Sequence, residues 1–217
     1  MLLRIRVRLP DRPGSLGKVA RILGAAGADV VQMAVLERDG GRALDDFTVA
    51  WPSGAGIDRL CDGLAYVPGV EIIGVWPTVE PQGAFPDAAL IGQLAANPGD
   101  GLTILADAVP AILSADWAGL LRTAPAPPVL VHTSLGVLAD VTLPEVHPIR
   151  PRGFTSEDGM QYAIVPICAG ELVLLVARGG APQFHRTEVF RLAQLVSAAE
   201  AVLGDRLAAT AADVEAV

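Results

Sequence analysis

The chain has 217 residues, 52% apolar and 18% charged, enough for two small domains that each bury a core. No uninterrupted apolar run approaches the ~20 residues that a membrane-crossing helix needs. The formal net charge of -8 is unevenly placed: residues 1–78 carry nine Lys/Arg against nine Asp/Glu, residues 79–217 seven against fifteen, so the second part lacks the cationic surface that a nucleic acid demands. Arg4, Arg6 and Arg8 alternate with Leu3, Ile5 and Val7 instead of preceding an apolar block, which argues against a secretory leader and for a cytoplasmic protein. Cys61 and Cys168 are far apart and have no CxxC partner, so they suggest buried thiols, not a disulfide framework or a zinc knuckle.

"LLRIRVRL" at residues 2–9 has the period of a half-buried strand, with Leu3, Ile5, Val7 and Leu9 on one face and the arginines on the other. After "PDRPG", Leu16, Val19, Ala20 and Leu23 recur at helical spacing, Pro13 suits the first turn, and "GAAGA" ends the helix. "DVVQMAVLE" and "ALDDFTVAW" are strands joined by "RDGGR", a tight hairpin turn. Ile57, Leu60, Cys61 and Leu64 mark a second helix, and "VEIIGVW" a fourth strand.

The order is βαββαβ, which packs both helices on one face of an antiparallel sheet. With Phe47, Val49 and Trp51 inward, Asp46 and Thr48 share the other face with the arginines and Glu71. That stripe either pairs across strands or binds an anion.

"DRPGSLGKVARILGAAGADV" resembles the ACT domain, a ferredoxin-like regulatory module known for binding amino acids. The resemblance spans about residues 2–78 and rests on the D-x-P-G-x-L loop at Asp11 to Leu16, the apolar helix after it, and the G-x-D at Gly27 to Asp29. It implies a small effector held between two subunits, contacted by Asp11, Pro13, Gly14, Ser15 and Leu16 and by the position of Asp29. Independently, Gly14 allows close approach, the N–H groups of Ser15, Leu16 and Gly17 open a helix whose positive end attracts a carboxylate, and Asp11 suits an ammonium group. The competing reading is that Asp11 caps the helix and Gly14 permits the turn.

"PTVEPQGAFP" has a linker's composition, which places an ACT-like domain at 1–78, a linker at 79–86, a second domain at 87–205 and a tail at 206–217. In the second domain Leu90, Ile91 and Leu94 suggest one helix, and Leu102, Leu105, Ala106 and Val109 another. "SADWAGLLR", "PVLVHTS", "MQYAIVPIC" and "ELVLLVAR" are strand candidates, the last two joined at Ala169-Gly170, with Cys168 inside a strand. A closing helix carries Val189, Leu192, Ala193, Val196 and Leu203 on one face, with Glu188 in capping-box register to His185. Helices, strands and a closing helix in this order resemble a GAF domain, a module that binds small molecules or mediates dimerisation. The expected fold class is α+β: a ferredoxin-like βαββαβ ACT domain plus a GAF-like α/β domain with a central antiparallel sheet.

Glu145 and His147 begin a metal set that lacks further ligands, His132 suits a hydrogen-bonded strand residue, and Ser134 has no nucleophile elbow. There is no phosphate loop, the only lysine being Lys18, and no dinucleotide fingerprint. No catalytic residue, metal ligand or cofactor is assigned. The expectation is a non-catalytic, homodimeric sensor of an amino acid or similar effector that relays through its second domain, with a further protein partner open. The alternative is a dimerisation scaffold without a small ligand.

Overall fold

The computed structural model describes residues 1–79, 85–135 and 142–204. The chain divides into two compact units, Met1–Glu80 and Pro81–Val217. Most of the expected linker, 80–84, and the whole tail lie outside the described residues.

The first unit runs β1 (Leu2–Pro10), α1 (Ser15–Ala25), β2 (Asp29–Asp39), β3 (Arg42–Ala50), α2 (Asp58–Ala65) and β4 (Glu71–Thr78). The sheet order is β2-β3-β1-β4, every pair antiparallel. Leu3, Ile5, Val7 and Leu9 of β1 meet Phe47 and Val49 of β3, Val19 and Leu23 of α1, and Leu60 and Leu64 of α2 in one core. The β2–β3 turn is Gly40-Gly41, with φ of 54° and 73°. Two successive positive φ values are what a two-residue turn matching strand twist requires, so the glycine pair closes the hairpin and Asp39 stays in β2.

On the face away from the helices, Arg6 sits opposite Asp46 and forks onto it, Nε to Oδ1 at 2.7 Å and the second nitrogen to Oδ2 at 2.9 Å. Arg4 Nε lies 3.5 Å from the same carboxylate and Arg8 pairs with Glu71 at 3.2 Å. The arginine stripe is therefore a set of cross-strand pairs. Arg6 and Asp46 are each only 2% exposed, far drier than an ordinary strand surface, and the Arg6 guanidinium stands 5.4 Å from the Trp76 ring centroid.

The second unit comprises α3 (Pro86–Ala96), α4 (Gly101–Leu113), β5 (Trp117–Arg122), β6 (Val129–Thr133), β7 (Arg152–Thr155), β8 (Gln161–Ile167), β9 (Leu172–Arg178) and α5 (Arg186–Leu203). Its antiparallel sheet has the order β6-β5-β9-β8-β7; α4 and α5 pack one face and α3 packs on them, in a core that includes Leu94, Leu105 and Leu192 of the helices and Leu174 of β9. Trp117, Tyr162 and Leu175 cluster on the opposite face with Val146. The expected α+β class is observed in both units. β7 was not foreseen, because "RGFT" is too short to display a period. Cys168 lies not in β8 but in the turn after it, with φ of 50°, followed by Ala169 at 54° and Gly170 at 97°.

The capping box of α5 forms as its spacing predicts: the Glu188 carboxylate accepts from His185 N–H at 2.8 Å and the His185 ring accepts from Thr187 N–H. Glu188 also takes a forked pair from Arg178, whose guanidinium donates to Pro182 O and lies 3.9 Å from the Phe184 ring centroid. Among the described residues no helix is long and apolar enough to cross a membrane.

Removing one partner of a dry pair leaves the other charge buried. Asp46→Ala should therefore cost about 3–5 kcal/mol in urea unfolding. Arg8→Ala, at an exposed pair, should stay within about 1 kcal/mol of the parent.

Candidate functional site

The D-x-P-G-x-L segment forms a cavity of about 240 Å³ at one end of the first unit. Leu9, Asp45, Ala43 and Ser15 line it and are buried, while Arg12, Leu16, Val35 and Arg38 line it from exposed positions. The buried set is its floor and the exposed set its rim. The volume lies below the ~300–1,000 Å³ of pockets for drug-sized ligands, so only a small molecule fits.

Asp11 does not cap α1. The N-cap is Gly14, and no side chain bonds the helix end. Asp11 is instead gripped by Arg38 of β2 through two bonds of 2.9 Å, while its N–H donates to Gly41 O at 2.8 Å. Pro13 precedes the N-cap and so lies outside the first helical turn. Gly14 has φ of 86°, and a Cβ there would meet nothing within 4 Å. Its glycine is demanded by the left-handed backbone and not by a close neighbour. Ser15 is buried against the cavity and Leu16 is 38% exposed at its rim. The first helical bond at this end is Lys18 N–H to Gly14 O, which leaves the N–H groups of Leu16 and Gly17 ahead of the ladder.

Asp29 is not brought to this cavity within one chain. It begins β2, nine residues before Arg38, a separation of roughly 25–30 Å along a strand.

Arg38 and Asp45 are among the lining residues that sequence reasoning missed. Arg38 is there because β2 carries a bulge: Val35 faces Asp45, but after a register shift Arg38 faces Ala43. One extra residue thus puts Val35 and Arg38, three apart, on the same face. Strict alternation sends them to opposite faces, so pattern alone hides the arginine. Asp45 was visible. It shares parity with Phe47 and Val49, both core residues, and a carboxylate in an inward register is itself the signal.

Asp45 is 1% exposed, and its Oδ1 has no hydrogen-bond partner. Burial, then the nearby charges of Asp11 and Asp46, push its pKa up from an ordinary 3.8 to about 6, against a smaller opposing pull from Arg38. An unfolded chain releases this proton near 3.8 and the folded one near 6, so ionisation of Asp45 removes stability as pH rises through that window. Two pKa units at 1.36 kcal/mol each make the loss about 3 kcal/mol by pH 7. Asp45→Asn should abolish it. Denaturation midpoints from pH 4 to 8 should show the wild type falling relative to the variant up to pH 6 and running parallel to it above.

The second unit holds a larger cavity, about 460 Å³, beside Phe154 stacked on Tyr162 at 5.5 Å. Two of its three acids are engaged: Glu145 accepts from His147 N–H at 2.9 Å, and Asp158 accepts from Ser156. His132 pairs with Asp107 at 2.7 Å, and Ser134 Oγ accepts from Ala118 N–H. These bonds of His132 and Ser134 run to other residues and not to each other. No group of three metal-ligating side chains occurs among the described residues.

Among solved structures, a formyltetrahydrofolate deformylase from Pseudomonas putida KT2440 is similar at 16% identity and a TM-score of 0.32, over 44% of this chain and 38% of that one. The GAF domain of an Acinetobacter phosphoenolpyruvate-protein phosphotransferase is similar at 12% identity and a TM-score of 0.44, over 60% of this chain and 97% of that one. An unknown protein from Galdieria sulphuraria matches at 11% identity and a TM-score of 0.32, over 92% and 91% of the two chains. No curated protein matches. The family model for the ACT domain matches residues 3–50, which run from β1 through β3 and contain the whole Asp11–Asp45 cavity. The first unit is an ACT domain.

Proposed function

We propose that this protein is a non-catalytic sensor in which the ACT domain binds an amino acid or similar small effector and the second unit relays or co-senses. One observation carries the reading: the loop that identifies the ACT domain walls a small cavity containing both signs of charge, Asp45 at its floor and Arg38 at its rim. A zwitterion is the ligand class that needs acceptor and donor within one small volume.

Homodimerisation belongs to this reading. β2 is an edge strand, and Val31, Met33 and Val35 on it are 47%, 42% and 47% exposed. An unpaired apolar edge is a template for another chain, and the cavity opens beside it at Val35. The same edge supports the alternative, a scaffold that dimerises without a ligand.

A thermal screen against the twenty amino acids at millimolar concentration separates the two. A ligand at 100 times its Kd adds about 2.7 kcal/mol to the folded state, which for a chain of this size raises the melting point by roughly 5–10 °C. Leu16→Glu should erase the shift by placing a like charge beside the ligand's carboxylate, and Ser53→Ala should leave it intact. A flat screen favours the scaffold.

Sedimentation of the full chain should give two chains per particle at tens of micromolar. The double variant Val31→Lys, Met33→Lys should sediment as one chain if the β2 edge is the contact.

A further inference from the structure

We propose that Asp45, not Asp11, receives the ligand's ammonium group, and that the cavity thereby selects a small aliphatic α-amino acid over the carboxylic acid or the amine of the same skeleton. This rests on the sensor reading above and names the recognition chemistry of the same cavity.

Asp11 is already saturated in charge, both its oxygens accepting from Arg38 at 2.9 Å. Asp45 is different. It lines the cavity, is 1% exposed, and keeps one carboxylate oxygen without a partner. A dry, unpaired acceptor is satisfied by a donor entering the site, and an ammonium brings both the donor and the missing charge. The carboxylate end then lies toward the N–H groups of Leu16 and Gly17 and the guanidinium of Arg38, and the aliphatic part against Leu9, Leu16 and Val35. Entry turns the exposed side chain of Leu16, not the backbone, and leaves the Arg38–Asp11 pair in place.

Binding an ammonium requires Asp45 ionised, so affinity should depend on pH. The groups that bear on this carboxylate are Asp11 and Arg12 of the loop, Arg38 of β2 and Asp46 beside it on β3. β1 places Val7 opposite and Leu9 in the lining, and α1 brings Ser15 and Leu16.

The test is calorimetry on the full chain with L-valine, isovalerate and isobutylamine. Wild type should bind L-valine at least tenfold tighter than either truncated probe at pH 7.5, and lose about fivefold in affinity for valine between pH 6 and pH 5. In Asp45→Asn the preference for valine over isovalerate should collapse to within about threefold and the pH dependence should vanish. Valine binding that is unchanged in Asp45→Asn, or a wild type that takes isovalerate as tightly as valine at any pH, overturns this inference and leaves the sensor reading standing. Failure of every amino acid to bind wild type overturns both. If Asp45→Asn does not fold, Asp11→Asn decides: a preference for valine over isovalerate that survives in it supports Asp45, and one that collapses overturns this inference.

Discussion

Two consecutive aspartates on a central strand set the character of the first unit. Successive side chains of a strand point to opposite faces, so Asp45 and Asp46 of β3 cannot share a partner. Asp46 faces the arginine side, where Arg6 forks onto it and Arg4 approaches. Asp45 faces the helix side, where β1 presents Val7 and Leu9. The same burial thus gives one fully compensated charge and one uncompensated charge, a single residue apart.

The contrast with the rest of the molecule gives Asp45 its weight. In the second unit a comparably dry ion, Arg178 at 1% exposure, is met by both oxygens of Glu188, by the carbonyls of Pro182 and Leu113, and by the Phe184 ring. That cluster joins β9 to the ends of α4 and α5, and every charge in it is answered within the fold. Among the described residues, no other buried carboxylate oxygen lacks a hydrogen-bond partner as Asp45 Oδ1 does. Buried polar groups are normally satisfied, so one that is not, in the wall of a cavity, is better explained by what enters the cavity than by the core it adjoins.

The sequence was legible where a period governs. β1 alternates cleanly and was read almost to its ends; α5 announced itself by its apolar face and by the His185–Glu188 spacing. The "DRPGSLG" loop contributes Ser15 and Leu16 to the lining of the cavity. What failed was what a one-dimensional pattern cannot carry. The bulge in β2 shifts parity by one and brings Arg38 to Asp11, and no spacing rule anticipates an inserted residue. Asp11 was assigned a choice between cap and ligand contact; it does not cap α1, and a guanidinium from 27 residues away grips it. β7 is four residues long and pairs only through its neighbour β8, so its existence depends on the sheet and not on its own composition.

The unpaired carboxylate also suggests how occupancy would be felt by the fold. Above pH 6 the empty domain carries an ionised group that its own structure does not compensate, so the end of the sheet formed by β1, β2 and β3 is less stable than its apolar packing implies. An entering ammonium removes that cost, and the gain falls on the elements that meet there: the Asp11 loop, the bulged end of β2 and the Gly40-Gly41 turn, which Asp11 N–H joins by its bond to Gly41 O. A ligand whose binding is coupled to the stability of a hairpin end and an edge strand changes the state of the surface beside it. β2 is that edge, and its exposed apolar side chains are what a second copy would cover. On the proposed sensor reading, ligand binding and association through β2 would be linked in free energy, each changing the other by the same factor.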